Sequence, residues 1–432
     1  MFLQDDDFPH ALSQWLIFYN TFEKSIFLYY LSSLMRQGRI FTKQLKNLEI
    51  AFEKRKYEHM DNLSKLIDLS TKLDNEYIEK WKQQGRKVIG FFCSYIPEEI
   101  MYASDILPYR IRPTKCTQTK EADIYMSNVN CTFARCCLDY GLREKFSFLD
   151  GLISMNSCDH IRRLYDIWRL KRPLPFMHFL SVPHLNHRRA IEWYKDELKI
   201  FKDAIEKQSG VSVTQDKLEK AIEIYNRTRR LLRKFSEVMK QDFPPITGIE
   251  YLNVILASFV TPKEQYNQLL EGLLEEIKVR KASSNLKARL MLIGSAFDQL
   301  EFIKIIEDSN GRVVTDTLCF GSRFYYDIFE SDSDLIGSLA KFYLHKASCP
   351  RFSEAVKERL DFIVEKIREF RVDGAIYQRI RYCNLWGGEA FLTKKKLEEI
   401  GIPFINLERE YYPTALGALR TRVEAFIERI VK

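Results

Sequence analysis

The chain has 432 residues, of which 46% are hydrophobic and 29% charged, and its formal net charge is +8. A chain this long exceeds what one hydrophobic core usually serves, so two or three domains are expected, and the composition excludes a disordered or low-complexity protein. Its basic residues alternate with acidic ones along helical faces, as in KLEKAIEIYNRTRRLLRK (217–234), which argues against a nucleic-acid-binding surface and fits a phosphate-bearing small substrate or an acidic protein partner.

The first 84 residues read as a helical segment. Phe18, Phe22, Phe27, Tyr30 and Leu31 recur at helical spacing, and Leu63, Leu66, Ile67 and Leu73 continue the pattern. No signal-peptide pattern opens the chain, and the apolar run Ser25 to Met35 is too short to span a bilayer. Nine cysteines without such a signal point to a reducing cytoplasm, where thiols are metal ligands, nucleophiles or core residues and not disulfides.

From Lys87 the texture changes. KVIGFFCSY, ILPYRIRP, FLDGLISMNSC and PFMHFLSVP are short β-rich runs separated by helical stretches, the first opened by Pro97 with acidic residues behind it. This is the pattern of βαβ units around a parallel sheet, expected over residues 85–186. Residues 187–285 read as a helical insertion, broken at Ser209-Gly210 and at Asp242 to Pro245. The α/β texture returns over 286–432 with the strand candidates LKARLMLIGSA, RVVTDTLC, VDGAIYQRIRYC and IPFINLERE. The phrases LDGLISMNSCD (149–159) and VDGAIYQRIRYCN (372–384) share an Asp-Gly turn, an apolar strand and a terminal cysteine, which indicates an internal duplication of one α/β fold.

Six cysteines stand where an apolar run gives way to a loop or helix start: Cys93, Cys131, Cys158, Cys319, Cys349 and Cys383. Open α/β sheets bind ligands beyond the carboxyl ends of their strands. A single cysteine in such a place is as well explained as a small buried hydrophobe, but six repeated placements favour a metal cluster. Iron–sulfur clusters are held by thiolates, and three suffice for a cubane with one open iron. Cys93, Cys131 and Cys383 suit this, with two ligands from one half and one from the other. Structural zinc is disfavoured because its ligands come in closely spaced pairs. Cys116 and the adjacent Cys136 and Cys137 read as non-ligands.

These phrases resemble the iron–sulfur subunits of the 2-hydroxyacyl-CoA dehydratase and benzoyl-CoA reductase family. The resemblance runs from about Gly90 to the carboxyl terminus, through GFFCSYIPEEIMYASDILPYRI, NCTFAR, FLDGLISMNSCDHIRRLYDIW, DGAIYQRIRYCNLWGGE and GIPFINLEREYYPTALGALRTRVEAFIE. It implies two flavodoxin-like parallel-sheet halves. It also implies an oxygen-sensitive 4Fe-4S cluster on Cys93, Cys131 and Cys383, which reduces a CoA thioester by one electron at low potential to a ketyl-type radical. The implied partners are a second subunit of the same family, or a second copy as a dimer, and an ATP-hydrolysing iron–sulfur activator. Some relatives hold a double-cubane 8Fe-9S cluster and reduce small molecules, and there Cys158, Cys319 and Cys349 would complete the set. A non-catalytic assembly subunit of the same fold is a further alternative. Two departures stand out: Glu410 where the family phrase usually has Asp, and Gly387-Gly388-Glu389 behind Cys383.

Among other candidates, Glu99, near the Cys93 loop, is an expected proton donor, although Glu98 and Glu99 also suit a helix start. His160 is a candidate acid/base or supporting residue beside Cys158. Arg135, Arg162 and Arg163 are candidates for CoA phosphates or solvated faces. Trp168 and Trp386 read as packing. No Walker or dinucleotide glycine pattern occurs, so ATP is expected to be used by the activator and not by this chain.

Overall fold

The computed structural model describes residues 60–282, 285–347 and 349–432. The residues from Asn62 onward form one compact unit. The helical expectation at Phe18 to Leu31 and the apolar run Ser25 to Met35 lie outside the described residues.

The eight expected β-rich runs form two four-stranded parallel sheets. The first holds β1 (Lys87–Phe91), β2 (Ile106–Arg110), β3 (Gly151–Met155) and β4 (Phe176–Leu180), in the order β2-β1-β3-β4. The second holds β5 (Ala288–Gly294), β6 (Gly311–Asp316), β7 (Gly374–Ile380) and β8 (Phe404–Arg409), in the order β6-β5-β7-β8. The two orders are the same permutation, that of a flavodoxin-like sheet lacking its last strand. β5 and β6 are buried along their whole length, as expected for parallel strands covered by helices on both faces.

The repeated Asp-Gly phrase has one structural meaning in both halves. Asp150 accepts the Val88 N–H at 2.8 Å and returns its own N–H to the Val88 carbonyl. Asp373 does the same to Arg289, at 2.7 Å. Each carboxylate thereby fixes the start of the neighbouring strand and sets the register of the central pair.

Between the sheets the chain runs through the helices Arg188–Ser209, Gln215–Glu237, Gly248–Ala257 and Lys263–Lys278. Gly210 ends the first in the left-handed region (φ 76°), where a glycine costs no Cβ clash. Thr247 and Glu250 form a reciprocal capping box on the third. Helix Asn62–Ser70 packs on Gly248–Ala257 and Lys263–Lys278, with Leu66 and Leu69 buried and Ser70 hydrogen-bonded to Asn253 at 2.6 Å. Among the described residues no helix is long and apolar enough to cross a membrane.

Gly294 ends β5 with φ 138°, and a Cβ there would stand 1.8 Å from the Gln378 carbonyl oxygen. The following Ser295 accepts the Ile380 N–H at 3.0 Å, so β5 and β7 are closed together at their carboxyl ends. Gly294→Ala is expected to lower stability by more than about 2 kcal/mol, through strain and a backbone collision. Thermal denaturation followed by circular dichroism checks this, and an unchanged melting temperature would show that the strand end relaxes freely.

Candidate functional site

The central strands β1 and β3 of the first half, and β5 and β7 of the second, diverge where strand order reverses. The crevice beyond their carboxyl ends is the ligand position of open α/β sheets. Here the crevice is a cavity of about 120 Å3 lined by Cys93, Cys131, Cys158, Cys319, Cys349 and Cys383. That is ample beside the ~10–15 Å3 that one water molecule needs. Cys116, Cys136 and Cys137 lie elsewhere, buried in the core.

Local structure explains how each thiol reaches the cavity. Cys93 follows β1 in the left-handed conformation (φ 61°). Cys131, Cys158 and Cys383 are the N-cap residues of helices Thr132–Leu142, Asp159–Lys171 and Asn384–Glu399. Cys319 sits in the turn between β6 and helix Ser322–Tyr325. There the Asp316 carboxylate accepts the N–H groups of Leu318 and Ser322, both at 2.8 Å. Gly321 permits that turn, since a Cβ on it would meet Asp316 Oδ1 at 2.0 Å.

The cysteine loops are held from the opposite half. His160 directs Nδ1 to Asn130 Oδ1 at 2.9 Å and Nε2 to the Tyr382 carbonyl at 3.0 Å. It therefore joins the residues beside Cys131 and Cys383 to the helix that Cys158 caps. Arg351 donates to the carbonyls of Pro183 and Val182, both at 2.9 Å, and so docks the Cys349 loop on the first half. Lys346 donates to the Ser94 carbonyl, Cys349 N–H donates to the Tyr95 hydroxyl at 3.0 Å, and Thr132 donates to Glu410.

Burial raises the Cys131, Cys319 and Cys383 thiols above their ordinary range and pushes Cys158 up to about 12. Backbone N–H groups at the helix starts offset part of this: those of Ala134 and Phe133 at Cys131, Ile161 at Cys158 and Trp386 at Cys383. At Cys319 the offset comes from the guanidinium groups of Arg323 and Arg110. Bare, these four are neutral thiols; a bound metal supplies the charge that makes them thiolates. Among the described residues no three His, Cys, Asp or Glu side chains converge as ligands of one ion. Zinc bound by thiolates needs sulfurs ~2.3 Å from a common point. Six thiols on one cavity are donors of the kind that an iron–sulfur group uses, and no single-ion site is formed by them.

Other expected site residues fall differently. Glu99 is fully buried on helix Glu98–Tyr102, away from the cavity lining, and accepts from Arg229 at 2.5 Å and Tyr343 at 2.7 Å. Glu98 stands 3.5 Å from the buried Lys263 ammonium. Arg135 is engaged by Asp123 (2.7 Å) and Thr119 (2.9 Å), and Arg163 by Asp159 (2.7 Å). Trp168 packs beneath Gly141, whereas Trp386 lines the cavity with the Arg323 guanidinium 5.1 Å from its ring centre. Glu389 of the unusual Gly-Gly-Glu phrase pairs with Arg359 at 2.6 Å, both buried, and Arg359 also donates to the Cys349 carbonyl at 3.1 Å. Arg110, Arg323, Tyr95 and Arg351 carry no local sequence signal, because each meets the cavity or the other half only through the fold.

With this geometry in place, the protein is a two-sheet α/β protein with a cysteine-lined cleft between its halves. Residues 93–430 match the family described as 2-hydroxyglutaryl-CoA dehydratase, D-component, and the chain belongs to that family. It is 26% identical over 359 residues to the (R)-phenyllactyl-CoA dehydratase beta subunit of Clostridium sporogenes, covering 82% of this chain and 95% of the relative. It is 24% identical over 379 residues to a benzoyl-CoA reductase subunit of Thauera aromatica, covering 86% and 98%. It is 25% identical over 362 residues to the (R)-2-hydroxyglutaryl-CoA dehydratase beta subunit of Acidaminococcus fermentans, covering 82% and 95%.

Two measurements test the supports of the site. Glu389→Ala strands a buried guanidinium beside the Cys349 loop and is expected to cost roughly 3 kcal/mol in urea denaturation. At Glu99, burial alone would raise the carboxyl, but the Arg229 charge and the hydrogen bonds from Tyr343 and Arg229 outweigh it and hold the group below the usual range. Its contribution is therefore complete above the ordinary carboxyl value and is lost as pH falls through the lower folded one. Glu99→Gln should flatten that part of the loss of stability on acidification below the ordinary carboxyl range, read from urea denaturation at a series of pH values.

Proposed function

We propose that this chain is the iron–sulfur subunit of a 2-hydroxyacyl-CoA dehydratase- or benzoyl-CoA reductase-type enzyme, a lyase or oxidoreductase acting on a CoA thioester. The observation that carries the reading is the convergence of the strand-end thiols on one cavity in a chain of this family. Cys93, Cys131 and Cys383 would hold a 4Fe-4S cluster there, and such a cluster supplies single electrons at low potential when bound.

The chain's own residues have definite tasks in this reading. The three N-capping cysteines place sulfur at helix starts, whose N–H groups favour the thiolate form. Phe92, Phe133, Ile161, Ile380 and Leu385 wall the cavity with apolar surface, which limits water at the cluster. His160 has both ring nitrogens engaged, one by a backbone carbonyl, so it serves as a positioning residue of the cysteine loops. Glu99 serves the buried ion pair with Arg229 and is not proposed as the proton donor.

The relatives are each named as one subunit of a larger enzyme, which supports a partner subunit, of the same family or a second copy. An ATP-hydrolysing iron–sulfur activator as electron donor, and the cytoplasm as the compartment, complete the proposal. A second reading, a double-cubane 8Fe-9S group, is favoured by one observation: Cys158, Cys319 and Cys349 line the same cavity as the other three.

Anaerobic reconstitution followed by iron and sulfide analysis tests both. About four irons per chain support the single cubane and about eight the double one. In the first case Cys93→Ala, Cys131→Ala and Cys383→Ala each abolish iron uptake while Cys158→Ala, Cys319→Ala and Cys349→Ala retain it. In the second all six variants lower it. A folded, iron-free wild-type protein after reconstitution would leave the assembly-subunit reading standing instead.

A further inference from the structure

Arg110 differs from most other buried arginines of this protein. Arg112 pairs with Asp298, Arg135 with Asp123, Arg229 with Glu99 and Arg359 with Glu389, while Arg351 is held by backbone carbonyls. Arg110 ends β2 with only 5% of its surface exposed, and it lines the cysteine cavity. Its guanidinium lies 5.3 Å from the ring centres of both Phe91 and Phe320. Among the described residues no carboxylate pairs with it and no protein acceptor takes a hydrogen bond from its side chain.

A buried, permanently charged group without a counter-ion is strongly destabilising, so a fold that keeps one supplies the opposite charge by another route. The rings of Phe91 and Phe320 compensate it only in part. It shares the cavity lining with Cys319 and with the Arg323 guanidinium. No carboxylate lies among the described residues lining the cavity, so the missing negative charge belongs to an occupied cavity.

We infer that Arg110, together with Arg323, is the counter-charge of a net-negative, thiolate-ligated occupant of the cavity and holds its reduction potential up. The inference rests on the iron–sulfur reading given above and deepens it. One-electron reduction adds a negative charge to the occupant and moves no proton, so a fixed guanidinium favours the reduced form. Net charge and surrounding dipoles are the levers that set such potentials.

The test compares the full-length wild type with Arg110→Gln and Arg110→Lys, each reconstituted anaerobically with iron and sulfide. Redox titration with dithionite, followed by electron paramagnetic resonance, gives the midpoint, and metal analysis gives iron per chain. Arg110→Gln is expected to keep its iron and to be at least tenfold harder to reduce, a midpoint lower by about 59 mV for one electron. Arg110→Lys, which keeps the charge, should restore most of that difference. Loss of iron in the Gln variant with retention in the Lys variant also supports the inference, since charge alone separates the two. An unshifted midpoint at full iron occupancy overturns it, as does equal loss of iron or fold in both variants. If the wild type itself takes up no iron, the iron–sulfur reading fails and this inference falls with it; iron uptake without a shift defeats the inference alone.

Discussion

Hydrogen bonds from the side chains of one half to the cysteine-bearing loops of the other create the cavity. Arg351 reaches the carbonyls of Pro183 and Val182, Lys346 that of Ser94, and His160 that of Tyr382, while Thr132 donates to Glu410. Without these straps the two sheets would present their strand ends to solvent as separate crevices. With them, thiols nearly 300 residues apart in the chain, Cys93 and Cys383, share one cavity. Most straps end on backbone carbonyls, so they fix loop position without depending on what neighbouring side chains are.

Buried charge is organised around the same place. Glu99 with Arg229, Glu98 with Lys263 and Arg359 with Glu389 lie in successive shells behind the loops of Cys93 and Cys349. Such pairs add little net stability over apolar packing, but breaking one is costly. Their effect is to make alternative placements of helix Glu98–Tyr102 and of the Cys349 loop unfavourable. A cavity whose thiols come from separate loops gains from that rigidity.

The helical layer between the sheets also acts on the site. Helix Gln215–Glu237 supplies Arg229, which fixes Glu99 at the start of the helix that follows the Cys93 loop. Gly248–Ala257 and Lys263–Lys278 cover helix Asn62–Ser70, whose Ser70 carbonyl accepts from Arg112 at 2.9 Å beyond β2. Arg112 in turn meets Asp298 of the second half at 3.2 Å. A chain of buried polar contacts therefore runs from the helical layer through the first sheet to the second.

The sequence by itself determined the strands, because a parallel strand buried on both faces is a short apolar run that needs no context. It also determined the two-fold repeat, because an Asp that caps a neighbouring strand and a Gly that lets it pack are local requirements, met at Asp150-Gly151 and Asp373-Gly374. The six site cysteines were legible for the same reason, each standing at a strand end or helix start. Tertiary structure alone decided what surrounds them. Arg110, Arg323 and Tyr95 reach the cavity from β2, a short helix and a loop; Arg110 meets Phe320, and Tyr95 the Cys349 N–H, across more than 200 residues of chain. It also decided that Glu99, near Cys93 in sequence, turns away toward Arg229, and that Glu389 serves Arg359. Charge placement of this kind is set by what the fold leaves unpaired, and periodicity and spacing carry no record of it.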